Sequence, residues 1–183
     1  MKAKINVTVF QNGDVDILQA SVYEELWKDY KAFKGRALRH HEKDSAKGEF
    51  FARRYERAAL LTLFAFLEGV VDRWLKEAAA AAGAEPVGLP KLSDKCRYLT
   101  QLACLPPFRG ITYDAARLLT FTGRYEQADL ALLEHVDGSL LQAIEDEADE
   151  YMTFIERATG FTRFPHLNAG TAAIMETIGS WRQ

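Results

Sequence analysis

The chain has 183 residues, 48% hydrophobic and 27% charged, which is the composition of an ordinary globular protein with enough apolar residues for one sizeable core. Its net charge of −3 excludes a global basic excess that would draw it onto nucleic acid or an anionic membrane. The most apolar run, Ala58 to Leu67, is interrupted by Thr62 and closed by Glu68, and is too short to span a bilayer.

The opening Met1-Lys2-Ala3-Lys4 has neither the apolar core nor the small-residue cleavage site of a secretory signal, so the expected compartment is the cytoplasm. One domain is expected over 1–183, made of a hairpin over 1–19, a helical bundle over 20–160 and a tail over 161–183.

Residues 4 to 18 alternate in hydropathy about Asn12-Gly13, the pattern of a small β-hairpin. An isolated ribbon of two strands is marginal in water, so it must lie on the helices or pair with another chain. Ser21 with Glu24 forms a capping box, and Tyr23, Leu26 or Trp27, Tyr30 and Phe33 follow at helical spacing. This first helix stops at Gly35 or runs on to His41. Arg36, Arg39, His40, His41 and Lys43 crowd its end, a run that reads as a solvated helix terminus rather than a phosphate patch.

From about Ser45 to Ala82 one long helix is predicted, because Phe51, Tyr55, Ala59, Leu63, Phe66, Val70 and Trp74 recur at spacings of three and four. Leu60, Phe64, Leu67 and Val71 widen that stripe, and even the polar arc of Arg54, Arg57, Glu68, Asp72 and Lys76 carries Leu61 and Ala65. A helix apolar nearly all round is touched on several sides, which makes it the centre of a bundle. A glycine- and proline-bearing connection, Gly83 to Pro90, ends it.

Ser93 is then expected to cap a helix carrying Cys96, Leu99 and Ala103, ended by Pro106-Pro107. A short helix is expected from about Thr112 to Phe121. Residues 122 to 138 read as a loop followed by a short helical turn. Ser139 and Gln142 make a second capping box, opening a helix through Leu141, Ile144, Ala148, Tyr151 and Ile155 to Gly160. Its acidic run, Glu145 to Glu150, reads as a solvated face. The tail contains Pro165 and Gly170 and a short helical pattern from Thr171 to Trp181. Cys96 and Cys104 both sit in an apolar helical pattern and are expected as buried free thiols.

Chemistry-bearing motifs are sparse. The sequence has no Glu-x-x-His pair, Gly-x-Ser-x-Gly elbow, phosphate-binding loop, His-Glu-x-x-His or Cys-x-x-Cys, so no metal or other cofactor is expected. His40 and His41 are adjacent and would point about 100° apart on a helix, a poor chelating pair. For His135 and His166 a structural or surface role is expected.

The long helix with Arg53-Arg54-Tyr55-Glu56-Arg57-Ala58-Ala59-Leu60-Leu61 leading into Phe64-Ala65-Phe66-Leu67-Glu68-Gly69, followed by Leu92-Ser93-Asp94-Lys95-Cys96-Arg97-Tyr98-Leu99, resembles the HEPN superfamily of helical domains over roughly residues 20 to 160. That resemblance implies dimerisation and, for many members, RNase activity or a place in a toxin-antitoxin pair. The family's catalytic signature is an arginine with a histidine four to six residues on, near the start of the last core helix. Here Arg124 is followed by Tyr125, Asp129 stands near the histidine position, and no histidine arrives before His135. Arg36 with His40 or His41 matches the spacing in the wrong region.

The fold expected is mainly α, a bundle of four or five helices with a small N-terminal β-hairpin. The function expected is a non-catalytic interaction or assembly module with a homodimer or protein partner. The alternative is a metal-independent endoribonuclease of toxin-antitoxin type acting on RNA through Arg36 or Arg124 with His41 or His135.

Overall fold

The computed structural model describes residues 4–11, 14–85, 88–114 and 136–164, with side chains from Tyr23 onward. Four helices make up the bundle among the described residues: α1 (Val22–His41), α2 (Ala46–Ala82), α3 (Leu92–Leu102) and α4 (Gly138–Thr159). None of them is long and apolar enough to cross a membrane.

Helix α2 is the centre, packing on α1 along much of its length and on α3 and α4 at other faces. Its start is chemically marked. Ser45 has extended backbone and its side chain accepts from Gly48 N at 3.0 Å. Its end is equally clear, with Gly83 at φ 65° donating its N–H back to Ala79 and Ala80. The buried stripe, however, enters the N-terminal half through Gly48, Ala52, Glu56 and Ala59, while Phe51 and Tyr55 are half-buried beside it. From Leu63 onward it follows the predicted positions, including Phe66, Val70 and Trp74.

Helix α1 continues through Gly35 to His41 because Tyr30 and Ala37, on either side of that glycine, are both buried. Tertiary packing outweighs the roughly 1 kcal/mol that a glycine costs in a helix interior. Two predicted caps are displaced. Helix α3 begins at Leu92, with Lys91 in the cap position and no side-chain cap bond, so Ser93 lies inside it. Helix α4 is capped by Asp137, whose side chain accepts from Leu140 N at 2.8 Å, so Ser139 is also inside. Its predicted end at Gly160 is observed, at φ 74°.

Buried Trp74, Tyr30, Phe66, Leu63, Ile144 and Tyr151 form the core, each such side chain contributing on the order of 2 kcal/mol. Tyr151 donates its hydroxyl to Cys96 O at 2.9 Å, and Trp74 Nε1 donates to Thr162 O at 3.3 Å, so the polar ends of both aromatics are satisfied. Cys96 is buried as expected. Cys104 is exposed, because α3 ends at Leu102 and Cys104 takes a left-handed turn at φ 52°. Thr112 to Asp114 are not helical, and the remainder of the short helix expected there lies outside the described residues, as do the loop-or-helix reading of 122–135 and the tail from Pro165.

Candidate functional site

The turn joining α1 to α2 is tight. Glu42, Lys43 and Asp44 donate back to Leu38, His40 and His41 carbonyls, and Asp44 adopts φ 39°. A Cβ on Gly48 would lie 2.6 Å from His40 O, so only glycine lets the first turn of α2 approach the last turn of α1 this closely.

That approach sets His41 between two carboxylates. Nδ1 is 3.0 Å from Glu49 Oε2 and Nε2 is 2.9 Å from Glu56 Oε1. Glu56 is 2% exposed, and His41 is its hydrogen-bond partner. The bond from Glu56 raises the His41 pKa, burial opposes it, and the charges of Glu56 and Glu49 reinforce the rise. An imidazole with carboxylates at both nitrogens matches the doubly donating cation, so the protonated form of His41 links Glu49 to Glu56.

Beside this link is a cleft of about 350 Å³ between α1, α2 and the start of α4, lined among others by Lys34, Leu38, His41, Glu56, Asp137 and Ser139. Arg36 does not line it. Its guanidinium lies 5.7 Å from the Tyr55 ring centre, and the His40 ring stacks on the same tyrosine at 5.4 Å and 19°. His40 is held below its usual pKa by partial burial and by the neighbouring Lys43 and Arg39 charges. Arg36 and His40 therefore share an aromatic neighbour, while His41 faces the carboxylates of α2. Arg124 and His135, the other two residues of the nuclease alternative, lie outside the described residues.

The acidic run of α4 is a solvated face at Asp146, Asp149 and Glu150, which are exposed, but not at half-buried Glu145 or buried Glu147. Glu145 Oε2 accepts from the Tyr30 hydroxyl at 2.6 Å, and both Lys31 and Lys34 bond to the same carboxylate. Burial works against its charge, but the bonds from Lys31, Lys34 and Tyr30 prevail and lower its pKa to about 2. Burial, reinforced by Glu145, pushes the Tyr30 phenol well above its usual value. Glu147 is 8% exposed and accepts from Thr112 N at 2.8 Å and from Thr112 Oγ1 at 3.1 Å, with Arg109 at 3.2 Å. It pins the segment after α3 to α4.

Sequence reasoning missed Glu49 and Glu56 as partners of His41, Glu145 as a half-buried anchor and Glu147 as a buried one. A signal existed for two of them. Glu56 falls on the small-residue stripe of Gly48, Ala52 and Ala59, and Glu147 sits between Ile144 and Tyr151 at helical spacing.

Among the described residues no group of three His, Cys, Asp or Glu stands where it could hold a metal ion. The arrangement is that of electrostatic clamps between helices. No protein-family model, curated protein or solved structure matches the chain.

Proposed function

We propose that the chain is a non-catalytic helical module, HEPN-like in its order of elements, that works by pairing with another protein surface through one face of α2. The observation that carries this reading is the exposure of Phe50 (59%) and Leu61 (50%) on the helix that also supplies the centre of the core. Three turns separate them, so they share a face with exposed Ala65. Phe50 and Leu61, with exposed Ala65, are the apolar contacts such a surface would offer, with Arg54 and Arg57 between them. The N-terminal hairpin belongs to the same reading as an accessory element, supported by a backbone register that runs from Lys4 opposite Ser21 to Gln11 opposite Asp14.

The endoribonuclease alternative needs His41 to exchange a proton with RNA while an arginine stabilises the phosphate. Two carboxylates hold both ring nitrogens, and Arg36 lies over Tyr55 instead. This favours the binding module.

The test is the mass of the purified protein in solution, with RNA cleavage measured on the same sample for the native chain and His41→Ala. Association that is lost in Leu61→Asp, with RNA left intact, supports the module. RNA cleavage that disappears in His41→Ala overturns it.

A further inference from the structure

The N-terminal third of α2 sorts its charges onto two sides. Glu49 and Glu56 turn toward His41, at 3.0 Å and 2.9 Å. Lys47 and Arg54 are exposed, as are Arg36 and Arg39 of α1 and Lys43 of the turn, and none of these cations pairs with an acid among the described residues. Glu42 and Asp44 are the exposed acids of the same turn, so the cations outnumber them. A net charge of −3 over the whole chain therefore conceals a basic patch at the end of the bundle where α1 meets α2.

A continuous row of rings crosses that patch. Tyr55 stacks on His40 at 5.4 Å, His40 meets Phe51 at 5.3 Å, and Phe51 meets Phe50 edge-on at 5.6 Å. An arginine closes each end, with Arg36 lying 5.7 Å from the Tyr55 ring centre and Arg54 lying 5.8 Å from that of Phe50. A guanidinium resting on a ring has less side-chain freedom left to lose on binding, and the N–H edge of its fork stays open. That edge is the part that takes a carboxylate through two parallel hydrogen bonds.

We propose that this patch docks an acidic segment of a different protein, with carboxylates on Arg36 and Arg54 and an apolar side chain against Phe50. The proposal rests on the module reading above and names the chemistry of its partner. Opposite charge would steer and orient that segment, and arginines seated on aromatic rings are the residues expected to dominate its affinity.

The rings themselves favour a protein over a nucleic acid. Single strands bind aromatic rows by stacking bases on open ring faces. Here His40, Phe51 and Tyr55 are half-buried and packed against one another, and Arg36 lies over Tyr55. Of the four rings only Phe50, 59% exposed, is largely open. The patch offers two forks for carboxylates and one apolar contact, not a platform for bases.

The experiment is fluorescence anisotropy on the full chain with a labelled synthetic helix of glutamate, leucine and alanine. Its controls are the same helix with glutamine for glutamate, a single-stranded RNA, and cosedimentation with phosphatidylserine vesicles. The acidic helix should bind, its glutamine form should not, and high salt should weaken the complex. Arg36→Gln and Arg54→Gln should each reduce affinity roughly tenfold, the loss of one charge-assisted pair. Arg97→Gln, which removes the same charge from α3, should leave it unchanged. Arg36→Lys keeps the charge without the fork and should recover only part of the affinity.

An acidic helix that does not bind the native chain, or that responds to Arg97→Gln as strongly as to the other two variants, overturns the proposal. So does tighter binding of the RNA or the vesicles than of the acidic helix. Each of these results leaves the module reading to the Leu61→Asp association and RNA-cleavage measurements, because Leu61 lies outside the row of rings. Where circular dichroism shows that a glutamine variant has lost helix, the lysine variant at that position replaces it, and undiminished affinity there counts against the proposal.

Discussion

Helix α1 is fastened at two heights by carboxylates, one half-buried and one buried, and the two fastenings are built differently. In its middle, Glu145 of α4 accepts from Tyr30, Lys31 and Lys34. At its C-terminal end, Glu56 of α2 meets His41. Lysine stays charged across the physiological range and histidine does not. The middle fastening should therefore hold across the physiological range, whereas the end beside the α1–α2 turn should loosen as His41 gives up its proton. A carboxylate between helices yields a constant clamp or a titrating one according to its donor.

The largest effect expected is from Glu145→Ala, which strands the buried Tyr30 hydroxyl and removes the shared acceptor of Lys31 and Lys34, and should cost about 3 kcal/mol in urea unfolding at neutral pH. Its acid profile carries a sign. The folded pKa is depressed, so the stabilisation is complete above the ordinary 4.5 and is lost as pH falls through about 2. Native protein should lose stability across that interval, and Glu145→Ala should lose less. An acid limb as steep in the variant as in the native chain would show that the clamp is not the source.

His41→Ala comes next, leaving the Glu56 carboxylate buried without its donor at a cost of about 2 kcal/mol. Here the folded pKa is raised above 6.5, so the contribution is complete below 6.5 and is lost as pH rises through the elevated value. Thermal unfolding followed from mildly acidic to alkaline pH should show the native melting temperature declining toward that of the variant. Parallel curves would break the comparison between the two fastenings.

Glu56→Gln is the smallest, under about 1 kcal/mol, because the amide keeps an acceptor for His41 and removes a buried charge. It should flatten the alkaline decline without unfolding the end of α1. If the decline persists at native amplitude, Glu49, the other carboxylate on His41, carries the coupling instead.

Local features of the chain were readable where the cause is local. The long helix was legible in its own periodicity, with Ser45 and Gly83 marking its ends, and Gly160 marks the end of α4 for the same reason: a cap needs only a hydroxyl or a left-handed residue at the right offset. The start of α4 is displaced because Asp137 and Ser139 are both able to cap and Asp137 does so, accepting from Leu140 N, whereas α3 starts after Lys91 with no side-chain cap bond and with buried Leu92 as its first residue.

The candidate site was less legible. His41 was singled out among the basic residues that end α1, but its carboxylates were not, since a glutamate on a helix is ordinarily a surface residue. What makes Glu145 an anchor is a tyrosine 115 residues away in the chain, and what meets buried Glu56 is His41 from α1 and the start of α4 at Gly138. By itself the sequence determined the four described helices, their principal breaks and, from Leu63 of α2 onward, the apolar face turned inward, because these follow from spacing within a few turns. Which acids are buried, which cysteine is open and where His41 finds its partners were decided by tertiary structure alone, because the donors and acceptors that stabilise them come from helices brought together only by folding.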